Sequence, residues 1–570
     1  MKGNSMENKK TLHLKSLHHL LAISATEYPQ KEVFRFERDG VDYSITYSDF
    51  YDYVKSIARG FEFHGLQGKR VAIIGETSVE WIGSYLATVI SGGEIVPLDA
   101  ALDKEQLINF INRAECEMFF YSDSWAAHVE ANLDRMPTVK AFGRLTDTVF
   151  APSVAEEKPF EKIGRLSDYA KTGAAHIELT LPDTDTKKMC SLLFTSGTTG
   201  TSKGVMLSQK NICAVLNDIY PVLHQICYDD VLLSVLPIHH TYEMSAGILA
   251  PMMYGATICI NDSIKHITKN LKKYRPTVMA LVPLFLEQFE KKIRSSIEKQ
   301  GKEKTFKTGV RLSRVLMKAK IDVRNKIFAQ VREAFGGRLR YVISGAAALK
   351  PESVDFFLDL GITVSQGYGI TECAPLISVV PLDEYNPRSC GKPTGGMQVF
   401  IDKKHSTDEY GEIVVKGDNV MLGYYEDPEA TAEVLVKGWF YTGDYGYIDA
   451  DGYLYITGRK KNVIVLPGGK NVFPEEVEEY LKPIELIEEV VVLGREKDGD
   501  VIITAIVYPN ATVAQAMGLT DDESIQTRIK DEIRKANRQL ISYKQIRKVD
   551  FRSEPFEKTS TRKIKRYKLQ

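Results

Sequence analysis

Residues 191–194 (SLLF) are an apolar run that opens into TSGTTGTSKG at 195–204, ten residues built almost wholly of Ser, Thr, Gly and one Lys. Glycines let backbone N–H groups converge, hydroxyls donate hydrogen bonds and Lys203 adds a positive charge, which together suit a polyphosphate. The order is not that of a Walker A loop, which needs Gly-Lys-Ser/Thr after four intervening residues; Lys203 stands between Ser202 and Gly204. A second cluster, QGYGITE at 366–372, sets an aromatic ring, a hydroxyl and a carboxylate beside glycines. Tyr368 can stack on a base, and Glu372 can hold Mg²⁺ as a hard oxygen ligand. In WFYTGD at 439–444, Asp444 follows a tight Thr-Gly turn and can accept from both hydroxyls of a ribose. GRKKN at 458–462 places Arg459 to share ribose or phosphate binding. The glycine pair Gly468-Gly469 lets the backbone come close to a ligand.

Three further stretches are weaker alone. SGAAA at 344–348 follows a strand-like run, and its small residues leave room. PIHHTY at 237–242 offers His239 and His240 with Glu243 close by, but no H-E-x-x-H pattern, so a catalytic zinc site is not expected. PFEKTSTRKIKR at 555–566 reads by itself as a basic tail.

Taken in order, these stretches resemble the adenylate-forming (AMP-binding) superfamily of acyl-CoA synthetases, nonribosomal peptide adenylation domains and firefly-type luciferases. The resemblance covers about residues 45–566. It implies that Thr195, Ser196, Gly197, Thr198, Thr199, Gly200 and Lys203 cradle the phosphates of ATP. Gly345 and Ala346 would lie against adenine and the acyl chain, with Tyr368, Gly369, Asp444 and Arg459 completing the nucleotide site. Thr371 would contact the α-phosphate and Glu372 the Mg²⁺. His240 is the better candidate for lining the carboxylate pocket, with a packed core histidine as the alternative. Lys461 matches the hinge position, and Gly468, Gly469 and Lys470 the channel for the thiol donor. Lys563 is the favoured catalytic lysine, with Lys558 and Lys565 as rivals, because Arg562 stands where many members have Gly.

The implied reaction is ATP-dependent activation of a carboxylic acid to acyl-AMP with pyrophosphate release, then transfer to a thiol. The chain ends seven residues after Lys563, which favours coenzyme A over a tethered carrier. The insertion at 290–338 resembles that of long-chain fatty acyl-CoA synthetases, so the expected enzyme is a long-chain-fatty-acid–CoA ligase acting on a medium- to long-chain acid. The alternatives are a fatty acyl-AMP ligase or acyl-carrier-protein synthetase, and a non-catalytic nucleotide-binding or membrane-scaffold relative.

These residues need elements to position them. Apolar runs at 70–74, 116–121, 191–194, 231–236, 257–260, 277–282 and 339–343 alternate with helix-like stretches such as 47–63 and 351–360. The alternation predicts α/β architecture: a large N-terminal domain of packed mixed and parallel sheets with helices. After Gly458 the pattern changes, and 462–570 reads as a small mobile α+β lid domain, with the large domain at 1–457 and a hinge at 458–461. Within 290–338, fifteen Lys/Arg stand against five Asp/Glu. Leu312, Val315, Leu316, Ala319, Val323, Ile327 and Val331 recur at helical spacing there, which predicts a basic amphipathic helix. Such a helix either packs on its own domain with a solvated basic face or meets an anionic membrane.

Composition sets outer bounds. With 570 residues, two or more folded units are expected. The formal net charge of −1 argues neither for nor against an anionic partner, and none of nucleic-acid type is expected. Seven scattered cysteines without C-x-x-C spacing point to buried thiols in a reducing compartment. The longest apolar stretch, 245–260, falls short of the ~20 residues a membrane-spanning helix needs. A cytoplasmic protein is expected, peripheral on the inner face of a membrane if the basic segment meets lipid.

Overall fold

The computed structural model describes residues 13–145, 163–195, 202–403, 405, 409–466, 471–497, 500–558 and 564–569. Two compact units emerge. The first takes the chain up to Thr195 together with 202–398 and 416–433; the second takes 399–415 and the chain from Val434 onward. The boundary expected at 458–461 lies within the second unit's stretch of chain.

The first unit carries two large sheets. In one, strands Glu94–Leu98, Arg70–Ile74, Met118–Tyr121 and Ala141–Arg144 run parallel beside Met189–Thr195, which pairs antiparallel with Lys203–Ser208. In the other, Thr363–Gly369, Tyr341–Ser344, Val278–Leu281, Val231–Ser234, Thr257–Ile260 and Glu32–Arg38 run parallel in that spatial order, with antiparallel strands at both edges. Helices cover these sheets, so their strands read as unbroken apolar runs: all four residues of Val278–Leu281 and of Met118–Tyr121 are buried. The helix Tyr47–Phe63 matches its sequence limits; Thr46 caps it by accepting from Asp49 N–H, and Tyr47, Phe50, Val54, Ile57 and Phe61 form its buried stripe.

The second unit holds an antiparallel sheet containing Gly411–Lys416, Trp439–Ile448 and Leu454–Arg459. It also holds a three-stranded sheet of Ile487–Lys497, Asp500–Pro509 and Lys548–Phe551. The helix Asp522–Asn537, capped by Asp521, buries Ile529 and Ile533 in the cluster formed with Val492, Ala505 and Val507.

The basic segment departs from its sequence pattern. It forms Pro283–Lys299, Glu303–Lys318, Arg324–Ile327 and Ala329–Arg332 in place of one helix. Glu303–Lys318 ends at Ala319, and Lys320 has φ 60°, a left-handed backbone that a helix cannot contain. Val323, Ile327 and Val331 therefore do not continue its face. Leu312 and Val315 are 50% and 64% exposed, while Ser313 is buried. Among the described residues, no helix is long and apolar enough to cross a membrane.

Candidate active site

The parallel strands of the larger sheet end together. Ser344 pairs with Gln366, so Gly345-Ala346, just past the end of one strand, lie beside Gly367-Tyr368 in the last residues of its neighbour, at the carboxyl ends where α/β sheets bind ligands. Tyr242 braces this edge: its hydroxyl donates to Ile343 O at 2.8 Å and to Leu281 O at 3.2 Å. A Cβ on Gly345 would lie 3.1 Å from the Tyr242 ring, and Ala346 takes the left-handed backbone at φ 72°. Tyr368 is buried. Gly369 admits no side chain, since a Cβ there would fall 1.6 Å from Pro375 O. The chain thus folds back tightly after the single turn Thr371–Cys373. Asn419, itself buried, fixes that turn by donating to Cys373 O at 3.1 Å and Leu376 O at 2.6 Å.

Thr195 and Lys203 face each other at the base of the hairpin, with Thr195 Oγ1 donating to Lys203 O at 3.4 Å. Lys203 Nζ stands 4.5 Å from the centre of the Tyr424 ring, and the Tyr424 hydroxyl donates to Glu372 Oε1 at 3.0 Å. One tyrosine therefore links the lysine of the phosphate loop to the carboxylate of the Y-G-x-T-E stretch. Its backbone is fixed by the two-residue strand Gly423–Tyr424, which pairs with Lys203–Ser208, and Met421 N–H donates to Glu372 O at 2.8 Å. Burial first, then the Glu372 charge, push the Tyr424 hydroxyl well above its ordinary range, so it stays a donor. Tyr424 was not a sequence candidate; only its place in the GYY triplet at 423–425 marks it.

A narrow apolar cavity of about 10 Å³, room for one water, lies nearby and is lined by Leu193, His239, Met244, Ser245, Leu249 and Ala374 among others. His239 reaches it, 3.6 Å from Asp99 Oδ2, and burial lowers its pKa although Asp99 opposes this. His240 packs against His239 with ring centres 4.0 Å apart.

The second unit carries Asp444, the residue expected to accept from a ribose. Asp444 is buried, and its Oδ1 accepts from Arg459 Nε at 2.7 Å across paired strands. Thr442 Oγ1 accepts from Asp444 N–H at 3.1 Å and donates to Ile413 O at 2.8 Å. Gly443, at φ 71°, donates its N–H to Glu412 Oε1 at 3.1 Å. Lys460 holds the other Glu412 oxygen at 2.5 Å. The Lys461 ammonium is pulled down to about 8 by partial desolvation and then by Arg459. Lys558 is ion-paired with Glu489, and Lys565 N–H donates to Glu557 O at 2.8 Å. Ser196, Gly197, Thr198, Thr199, Gly200, Gly468, Gly469, Lys470 and Lys563 lie outside the described residues.

A Mg²⁺ held by Glu372 fits what is present. The carboxylate has one oxygen engaged by a neutral hydroxyl and no ion pair among the described residues, and Mg²⁺ is commonly bound by one or two carboxylates plus substrate phosphates. No all-protein cage is needed, and among the described residues no group of three metal-ligating side chains occurs.

Comparisons with known proteins bear on the family and the fold. The AMP-binding enzyme family model matches residues 21–425, and the AMP-binding enzyme C-terminal domain matches 461–570. Long-chain-fatty-acid–CoA ligase FadD15 of Mycobacterium bovis is 29% identical over 593 residues, covering 94% of each chain. Long-chain-fatty-acid–CoA ligase 5 of Rattus norvegicus is 28% identical over 570 residues, covering 92% of this chain and 81% of its own. The ATP-bound structure of MatB from Rhodopseudomonas palustris shares the fold with a TM-score of 0.72 at 23% identity, covering 97% of this chain and 98% of that one. The chain belongs to the AMP-binding enzyme family.

Proposed function

We propose that this enzyme is a long-chain-fatty-acid–CoA ligase that uses ATP, Mg²⁺ and coenzyme A. The observation that carries the reading is the link from Lys203 through Tyr424 to Glu372, which sets a cation and a metal-binding carboxylate beside one aromatic ring. The relatives named for long-chain fatty acids, matched along most of their length, support the acid class.

In the first step a fatty carboxylate oxygen attacks the α-phosphorus. The bond to the bridging oxygen breaks and pyrophosphate leaves, giving acyl-AMP. Negative charge grows on the phosphoryl oxygens; the residues assigned to it are Thr371 and Lys563, with Lys203 and the loop of Thr195, Ser196, Gly197, Thr198, Thr199 and Gly200 on the departing pyrophosphate. Mg²⁺ bound by Glu372 would supply further charge neutralisation. Asp444 and Arg459 orient the ribose, Tyr368 and Gly369 the base, and Gly345 and Ala346 leave space for it. In the second step the thiol sulfur attacks the acyl carbon, the bond to AMP breaks, and the thiol proton passes to solvent. The small domain is proposed to turn about Lys461 between the steps, exchanging Lys563 for the Gly468-Gly469-Lys470 channel. His240, its ring tilted against that of His239, is assigned to the back of the acid pocket.

A peripheral contact with anionic membrane belongs to the same reading, because long-chain acids partition into lipid. Leu312 and Val315 project beside Arg311 and Lys318, whereas Arg314 is engaged by Asp359. Sedimentation with phosphatidylglycerol liposomes checks this: binding should fall in the Arg311→Gln, Lys318→Gln double variant, and equal binding contradicts it.

The experiment for the main reading is a panel of acids of different chain length, with pyrophosphate release and thioester product measured together. Medium- or long-chain acids should give acyl-CoA with AMP and pyrophosphate. Acyl-AMP without thioester would assign a ligase that stops at the adenylate or needs a carrier protein. No product with any acid would leave only the non-catalytic alternative.

A further inference from the structure

Glu243 is fully buried, and neither reaction step above uses it. It opens a π-helical turn, Glu243–Leu249, that supplies Met244, Ser245 and Leu249 to the apolar cavity. Its Oε1 accepts from the Ser234 hydroxyl at the carboxyl end of strand Val231–Ser234, and Leu236 N–H donates to the same carboxyl. Its Oε2 is buried and has no hydrogen-bond partner among the described residues. The carboxyl sits on Gly247, where a Cβ would come within 2.6 Å of Cδ. Ser245 Oγ donates to Ala374 O at 3.4 Å, so the same turn touches the backbone next to the Thr371–Cys373 turn.

A π-helical turn holds one residue more than an α-turn, and such turns recur at functional sites. Returning it to α-helix would rotate the residues beyond by about 100°, the angle per residue of an α-helix. Met244, Ser245 and Leu249 would then no longer present the same wall. Something must hold the wider turn, and the candidate is the acid that joins its first residue to a neighbouring strand end and rests on its fifth.

We propose that Glu243 is a positioning residue, fastening the π-helical turn in the register that builds the cavity wall beside His239, and that this wall bounds the place of the acid's carboxylate end, so that its register bears on which acids bind. Burial pushes its carboxyl up to about 8, so at neutral pH the fastener is an uncharged acid, compatible with an apolar wall. The inference rests on the ligase reading for its substrate but not for its structural core. Gly247 is part of the device: no side chain competes for the carboxyl's seat.

Hydrogen–deuterium exchange at residues 243–249 tests the fastener without reference to activity. Glu243→Ala and Ser234→Ala should each raise exchange there, while Glu243→Gln, which keeps shape and neutrality, should stay near wild type. Kinetics tests its role. Glu243→Ala should raise the KM for the preferred acid about 10-fold and shift the chain-length profile, with the KM for ATP within about twofold. Glu243→Gln should restore both. Unchanged exchange in both alanine variants overturns the proposal, and so does a KM for ATP that rises as much as that for the acid. A wild-type protein inactive with every acid would count against the ligase reading alone, because the exchange measurement still decides the fastener.

Discussion

The two units treat their site carboxylates differently. In the first, Glu372 and Glu243 are held by neutral hydroxyls, those of Tyr424 and Ser234. In the second, Asp444 and Glu412 are held by the cations Arg459 and Lys460, and Glu478 by Arg566. A hydroxyl donor orients a carboxyl without neutralising it. The group can then bind a further cation where it is half-exposed, as at Glu372, or become a neutral acid where water is excluded, as at Glu243. A cation partner neutralises the charge and fixes an oxygen acceptor in one direction. The first arrangement suits a site where charge must be met as it develops; the second suits a preformed grip on a ribose.

Substitutions should separate the two designs. The largest effect is expected at Glu372. Glu372→Gln removes the metal-binding charge while keeping the acceptor for Tyr424, and should lower the adenylation rate about 10²–10³-fold with the melting temperature unchanged. A rate near wild type would remove Glu372 from the metal site. Next, Arg459→Leu takes a guanidinium away from the buried Asp444 carboxylate and should cost about 1–3 kcal/mol of stability in urea unfolding. The double variant with Asp444→Asn should recover most of that loss, and no recovery would mean that Arg459 acts through packing instead.

Glu243 provides the pH test. Its unfolded carboxyl releases a proton near 4.5 and its folded one near 8. Between those values the unfolded chain binds fewer protons, so this group's contribution is full below 4.5 and falls as pH rises toward 8. Glu243→Gln lacks this loss. Its stability relative to wild type should therefore climb from pH 5 to pH 8, by about 3 kcal/mol, and a flat difference in calorimetric scans would contradict a neutral buried acid. The smallest effect is Tyr424→Phe, which keeps the ring under Lys203 but loses the bond to Glu372. Activity should fall about 3–10-fold, the worth of one such bond, with a raised Mg²⁺ requirement.

Much of the scaffold was legible in the sequence because parallel strands covered on both faces are unbroken apolar runs. The stretches 70–74 and 257–260 coincide with strands, and 47–63 with a capped amphipathic helix. The basic segment misled because Val323, Ile327 and Val331 fit a helical period that the left-handed Lys320 interrupts; periodicity cannot see a backbone break at a residue of ordinary type. At the site, motifs disclosed residues whose type alone announces chemistry, such as Lys203, Glu372 and Asp444. They did not disclose Tyr424, which meets Glu372 across a separation of 52 residues. They named Glu243 only as a neighbour of the histidine pair and did not disclose its burial on Gly247, four residues beyond it. Partners brought together by the fold carry no local signature.

The central claim is that acid activation depends on the Lys203–Tyr424–Glu372 arrangement. Exchange of labelled pyrophosphate into ATP, driven by a long-chain fatty acid in the presence of Mg²⁺, tests it most directly. Exchange should require both the acid and Mg²⁺ and should collapse in Glu372→Gln. Exchange that is absent from the folded wild-type protein with acids of every length, or that persists undiminished in Glu372→Gln, would contradict it.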